Sequence, residues 1–193
     1  MKRDYGKIFL FGNLVGEIIM NYTIFKTGLG WVGVVGGEKG IKKIILPYPQ
    51  PLMVERVIAQ EFPEAKEGGC QLITVVKFLS NYFEGNNHPQ EFLLDWSGYS
   101  DFLVQVWRIT QSIPWGEVRS YKWIGNQLKR PHSFRAVGMA LKKNPFPIIV
   151  PCHRVIRSDG SLGGFSGYRG IRLKQKLLEI EGIRFDEERK LNW

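Results

Sequence analysis

The stretch RAVGMALKKNPFPIIVPCHRVI, Arg135–Ile156, changes character halfway along. Its first part has helical spacing. Val137 and Leu141 share a face with the preceding Phe134 and should pack inward, while Arg135, Met139 and Lys142 share the other face. Pro145 bars Asn144 from the α region, so the helix must stop there. PFPIIVPCHRVI is then expected to be extended. Pro151 fixes its own φ and biases Val150 toward extended backbone, which puts Cys152 on a stiff turn after a strand. A cysteine so placed is presented rather than buried in regular structure. The other use of a free cysteine is as a small core residue.

Cys152 is one of two cysteines and the adjoining His153 one of three histidines. A cysteine acts as a nucleophile when a base or a positive charge stabilises its thiolate. Neighbours on an extended backbone point to opposite sides, so a turn at Cys152 or a bridging water must bring the imidazole round. A carboxylate should then orient the histidine. Glu181 is the candidate, although spacing alone does not single it out from the eight acidic residues after position 96. No CxxC, HxH or HExxH spacing supports a metal site.

Upstream, Ser100 is placed to cap a helix in SDFLVQVWRITQSI that ends before Pro114. WGEVRS leads into a short helix, YKWIGNQLKR, started by Ser120 and ended by Pro131. HSFRAVGMALKKN forms the next. Two short helices joined by a tight turn have the outline of a helix-turn-helix. Downstream, RSDGSLGGFSG is a loop, and IRLKQKLLEIEG a final helix with Leu173, Leu177 and Ile180 on its buried stripe and Glu181 at its edge.

The first half reads differently. IIMNYTIFKT, LGWVGVVGG and GIKKIILPY are β-rich runs separated by glycine turns, which predicts a three-stranded antiparallel meander. Helical patterns follow in PLMVERVIAQEF and in CQLITVVKFLSNYFEG, where Leu72, Val75, Val76, Leu79 and Phe83 form a stripe. GNNHPQ is a loop, and EFLLDW an extended exit. The expected division is an α/β domain over residues 1–96 and a mainly α domain over 97–193.

Charge divides at the same point. Residues 1–96 carry ten Lys/Arg and ten Asp/Glu, and residues 97–193 carry seventeen and eight, so the second half holds the entire net charge of +9. Such confinement suggests a polyanion bound there. No apolar run approaches the roughly 20 residues of a membrane span. MKRDYGKIFLFGNLVGEI has the look of a signal peptide, but Asp4, Asn13 and Glu17 interrupt it, and no leader is expected. Two distant cysteines fit a reducing cytoplasm.

IPWGEVRSY, RAVGMALKKNPFPIIVPCHRVI, GGFSG and the closing KLLEIEG, in that order between Ser100 and Gly182, resemble the methylated-DNA–protein-cysteine methyltransferases, also called O6-alkylguanine-DNA alkyltransferases. The resemblance implies a ribonuclease-H-like N-terminal domain and a winged-helix DNA-binding domain carrying the reactive cysteine. By position it makes Cys152 the alkyl acceptor, His153 its water-linked base, Glu181 the residue orienting the imidazole, and Asn144 the brace of the turn. Tyr121 would protonate the departing guanine, and Ser166 would hydrogen-bond near its O6. Arg135 would enter the duplex in place of the extruded base, with Ala136 and Gly138 small enough for close approach in the minor groove. Lys122, Arg130 and Ser158 would contact phosphates, and Val155 would join the substrate-facing residues.

Reaction at a base edge inside a duplex requires flipping, at a cost of a few kcal/mol, with a plug and a pocket. Arg135 suits the plug, and Pro147, Phe165 and Gly163–Gly164 suit an apolar pocket wall. Taken singly, Tyr121 reads equally as a packed aromatic, Ser166 as a turn residue and Arg135 as a solvated cation. Phe165 stands where the family often has tyrosine. Cys70 and His88 cannot make the four ligands of the zinc that some members hold, so no metal and no cofactor is expected. The expected activity is irreversible transfer of an alkyl group from guanine O6 to Cys152 by a monomer on double-stranded DNA, with no membrane partner. The rivals are a lesion-binding module without chemistry and a cysteine hydrolase.

Overall fold

The computed structural model describes residues 20–186 and residue 191. The signal-like stretch with Asp4, Asn13 and Glu17 lies outside the described residues, as does most of the tail past Asp186.

The three β-rich runs become β1 (Asn21–Thr27), β2 (Gly30–Gly37) and β3 (Gly40–Tyr48), paired antiparallel in sequence order. The meander is not the whole sheet. β4 (Lys66–Glu67) adds parallel to β1 after α1 (Pro51–Glu61), so the order is β3-β2-β1-β4 and the sheet is four-stranded and mixed. Two oppositely charged residues show no apolar alternation, which is why the sequence reading missed this strand. α1 starts on proline and lays Val54 and Ile58 against Val35 and Ile45 of the sheet.

A 3₁₀ turn at Cys70–Leu72 leads into α2 (Ile73–Phe83). The expected stripe holds for Leu72, Val75, Leu79 and Phe83, whereas Val76 is only half-buried and Tyr82 is buried in its stead. The chain then runs along the outer edge of β3. Ile41 N donates to Leu93 O, and Asp95 N to Ile41 O, both at 2.8 Å. This edge fits so closely that a Cβ on Gly40 would lie 2.2 Å from the Leu93 carbonyl oxygen. Pairing there also covers an otherwise open sheet edge.

The second half comprises α3 (Asp101–Gln111), β5 (Arg119–Ser120), α4 (Tyr121–Gln127), α5 (Phe134–Lys142), β6 (Val155–Ile156) and α6 (Ile171–Ile180), with β5 and β6 paired parallel. Ser120 caps α4, its Oγ accepting from Trp123 N at 3.0 Å. Ser100 takes the cap position of α3, but its side chain makes no capping bond. Phe134 departs from expectation too, since it is 48% exposed. Val137, Ala140 and Leu141 are the buried residues of α5. Ala140 draws the buried face away from Phe134, which lies at the helix start. Along α6, Lys174 and Leu178 are buried with Leu173 and Leu177, while Ile180 is half-buried.

Both halves share one core. It runs from Val32 and Ile44 through Leu79, Trp107 and Ile124 to Val150 and Leu177. Trp107 is wholly buried and donates from Nε1 to Ala140 O at 2.9 Å, tying α3 to α5. Among the described residues no helix is long and apolar enough to cross a membrane.

Candidate active site

Asn144 builds the turn that carries Cys152. Its Oδ1 accepts from Phe146 N at 2.9 Å, and its Nδ2 donates to Val150 O at 2.8 Å and lies 3.2 Å from Cys152 Sγ. The segment is therefore folded on itself rather than extended. Val150 N bonds Phe146 O at 2.7 Å, Ile148 has a φ of 76°, and Cys152–Arg154 form a 3₁₀ turn. An extended run needs a strand beside it, and none pairs until β6, so the Asn144 amide closes the turn instead. A branched residue at positive φ costs about 1–3 kcal/mol and persists only where its surroundings over-determine it. One such constraint comes from the first half, where Ile44 N donates to Pro145 O at 2.8 Å.

The 3₁₀ turn sends His153 into the interior, where it is fully buried. Its Nε2 lies 2.6 Å from Glu181 Oε1 and 3.1 Å from the Tyr82 hydroxyl. A carboxylate only accepts, so Nε2 carries the proton. Nδ1 is left as the acceptor, buried and with no partner among the described residues. Glu181 receives more than the imidazole. Arg154 donates to it from Nε at 2.8 Å and Nη2 at 3.0 Å, and Tyr82 donates to Oε1 at 2.8 Å. Arg154 is held in turn by Nη1 on Ile113 O at 2.6 Å.

Burial opposes charge on Glu181, but the His153 hydrogen bond and the Arg154 guanidinium outweigh it and hold the carboxyl at about 2. Burial also pushes the His153 imidazole below its ordinary value, although Glu181 pulls the other way. The resting imidazole is thus neutral, and the lasting positive partner of Glu181 is Arg154. Burial raises the Cys152 thiol, opposed by the Asn144 amide and the charge of Lys174. The resting sulfur is a thiol that needs a base.

Cys152 is 8% exposed, so it is largely enclosed rather than presented. Its sulfur meets a cavity of about 990 Å³. The second half lines the cavity with Tyr121, Arg135, Gly138, Asn144, Pro147, Phe165 and Ser166, all expected from sequence. The first half adds Leu46, Tyr48, Val57 and Phe62, which sequence reading did not foresee. Ser166 Oγ donates to Lys142 O at 3.2 Å, which pins the GGFSG loop to the end of α5. Gly138 lies under Tyr121, where an added Cβ would rest 3.8 Å from the ring.

Lys122, Arg130, Ala136 and Ser158 are exposed and lie outside the cavity lining. Arg130 sits over the Phe102 ring, 5.7 Å from its centroid. Val155 stands apart from these residues. It is wholly buried and outside the cavity lining, because β6 turns its side chain into the core, and its carbonyl accepts from Lys174 Nζ at 2.5 Å. Among the described residues no group of three or more His, Cys, Asp or Glu could hold a metal ion. Cys70 is exposed on its 3₁₀ turn.

Three buried side chains around the site escaped the sequence reading. Arg154 follows the Cys-His pair directly, and Tyr82 sits one turn beyond Leu79 on the buried face of α2. Lys174 looks like a solvated cation in RLKQK, yet it is buried and bonds both Val155 O and Leu162 O at 2.5 Å. Burial lowers Lys174 to about 8, with the nearby Cys152 acting to raise it. Its position four residues before Leu178 was the available signal.

Residues 101–183 match the family model described as the DNA-binding domain of 6-O-methylguanine DNA methyltransferase. A methylated-DNA–protein-cysteine methyltransferase of Methanosarcina barkeri is 34% identical over 163 residues, 84% of this chain and 97% of that protein. One of Saccharolobus solfataricus is 35% identical over 170 residues, 86% of this chain and 98% of that protein. In structure, the chain is similar to Mycobacterium tuberculosis OGT in complex with DNA, with a TM-score of 0.71 and 33% identity over 83% of this chain and 92% of that one.

Proposed function

The chain belongs to the methylated-DNA–protein-cysteine methyltransferases, and from that premise we propose that Cys152 is its alkyl acceptor. The activity is repair of alkylated DNA by direct transfer to the protein. The observation that carries the assignment to Cys152 is its setting. The sulfur opens into the cavity beside Tyr121, while the neutral, Nε2-protonated His153 behind it is locked on a charged Glu181.

An alkylated guanine is flipped into the cavity, with Arg135 filling the gap left in the duplex. The thiol proton passes through water to His153 Nδ1. The sulfur–carbon bond forms as the O6–carbon bond breaks, and the Tyr121 hydroxyl protonates the departing guanine. Asn144 holds the thiol in place, and Ser166 offers its hydroxyl near O6. Pro147 and Phe165 wall the pocket. Lys122, Arg130 and Ser158 bind phosphates, and Ala136 and Gly138 allow α5 close to the minor groove. Val155 acts through its carbonyl rather than its side chain.

This reading divides the chain into a ribonuclease-H-like domain over residues 1–96 and a winged-helix domain over 97–193, working as a monomer on double-stranded DNA without a metal. Intact-mass analysis after mixing with O6-methylguanine duplex tests it. One added methyl mapped to Cys152 supports the assignment. Methyl on Cys70, or hydrolysis of an acyl substrate with no mass change on DNA, overturns it.

A further inference from the structure

We propose that Tyr82, contributed by α2 of the first half, is a positioning residue for alkyl transfer, its hydroxyl holding Glu181 and His153 in the arrangement that leaves Nδ1 as the acceptor. The inference rests on the reading of Cys152 and His153 above.

Three atoms close a ring. Tyr82 Oη donates its one proton to Glu181 Oε1 at 2.8 Å. It therefore has none to give His153 Nε2 at 3.1 Å, and must face that nitrogen with a lone pair. Nε2–H in turn points at both oxygens, with Glu181 Oε1 at 2.6 Å. Every contact of the ring demands the same tautomer. The phenol stays protonated across the useful range, because burial and the neighbouring Glu181 charge both raise it.

The ring is packed as well as bonded. Tyr82 is 2% exposed, and Trp115 meets its ring edge-on at a centroid distance of 5.3 Å. The other charged or titratable groups that act on His153 are Glu181 and Lys174 from α6 and its end, and Arg154 from its own turn. Among the described residues, only Tyr82 comes from the first half. That half thereby contributes a hydroxyl to the reacting centre as well as a wall to the cavity.

Removing the hydroxyl has a signed consequence. Without the Tyr82 donor, the Glu181 charge is concentrated on the imidazole, which then takes up a proton more readily. The neutral base is lost at a higher pH, so the acid limb of the reaction moves upward. Tyr82→Phe keeps the ring and removes the bond. Single-turnover transfer would be followed from pH 5 to 9 on methylated duplex and on free benzylguanine. The expected result is slowing by about five- to tenfold at pH 6, shrinking to about twofold at pH 9, and equal on both substrates. A parallel loss at every pH, or no loss, overturns the proposal.

Trp115→Phe disturbs the same packing without touching a hydrogen bond, and should lower the melting temperature while leaving the pH limb in place. If Trp115→Phe moves the limb as far as Tyr82→Phe does, packing is the cause and the proposal fails. Should Tyr82→Phe not fold, nitrogen NMR of His153 in the unaltered protein decides. A proton on Nε2 supports the ring, and one on Nδ1 overturns it. Failure of the underlying reading looks different, because the unaltered protein would then not alkylate Cys152 at any pH.

Discussion

Asn144 Nδ2 lies 3.2 Å from Cys152 Sγ and 2.8 Å from Val150 O, so one amide both shapes the turn and faces the sulfur. Removing it should therefore do two things at once. Asn144→Ala would lose the turn-closing bonds, each worth about 0.5–1.5 kcal/mol, for a total on the order of 2 kcal/mol. It would also leave the thiolate without the Asn144 amide donor. Urea unfolding reads the first effect, and the rate of iodoacetamide labelling at Cys152 reads the second. Lower stability with unchanged labelling would confine Asn144 to the turn.

The Glu181 carboxylate gives the acid side of the stability curve a definite sign. Its folded value of about 2 is below the ordinary 4.5, so the unfolded chain binds the proton first. The stability it contributes is complete above 4.5 and is lost as pH falls toward 2. The shift corresponds to about 3 kcal/mol. Glu181→Gln should be less stable at neutral pH, because Arg154 keeps a buried charge without its partner. Its melting temperature should also fall less steeply between pH 4.5 and 2. Parallel profiles would remove Glu181 as the source of acid sensitivity.

The two cysteines separate chemistry from binding. Cys152→Ala should abolish transfer and still bind alkylated duplex, since Arg135 and the basic face are untouched. Cys70→Ala should transfer normally, because Cys70 is exposed on a turn outside the cavity. Mobility-shift and transfer assays on both variants check this. Loss of binding in Cys152→Ala would make that cysteine structural.

How far the site could be read from sequence follows from chain distance. Asn144, Cys152 and His153 lie within ten positions, and three prolines, the first of them stopping the helix, mark the turn around them. Glu181 needed the family resemblance, because its spacing does not distinguish it from other acidic residues. Tyr82 is 71 positions from His153, and no local pattern joins α2 to the 3₁₀ turn. The meander was legible because three apolar runs alternate with glycine turns, whereas β4 exists only through its partner. Extended backbone was the wrong expectation for residues 145–151. Proline restricts φ but does not supply the hydrogen bonds that decide between a strand and a turn.

Arg135 is exposed on α5 and reaches the cavity rim. Arg135→Ala should slow transfer from duplex by at least tenfold more than transfer from free benzylguanine. The free base needs no flipping, so only the duplex reaction loses the plug, and flipping costs a few kcal/mol. Comparing the two single-turnover rates checks this. Equal slowing would place Arg135 in the pocket chemistry instead.

The product of the reaction predicts how often each molecule can act. A thiolate attacking a saturated carbon leaves a thioether, and water at neutral pH has no ready route to break that bond. An acyl-enzyme differs, because a thioester is hydrolysed and the cysteine is recovered. Among the described residues, the groups around Cys152 are the Asn144 amide, the Tyr121 phenol, a buried imidazole and Lys174 bonded to two carbonyls, and none of them is set to strip an alkyl group from sulfur. Limiting protein mixed with excess methylated duplex should therefore stop at about one repaired guanine per molecule. The spent protein should also be weaker. Methylation costs the sulfur its contact with the Asn144 amide, 3.2 Å away, and crowds the turn that this amide closes, with overpacking costing about 1–3 kcal/mol. Its melting temperature should accordingly fall by several degrees once Cys152 is methylated. Counting repaired guanines at long times, with a thermal melt of the same sample, checks both outcomes, and repair continuing well past one equivalent would show that the thioether is being opened.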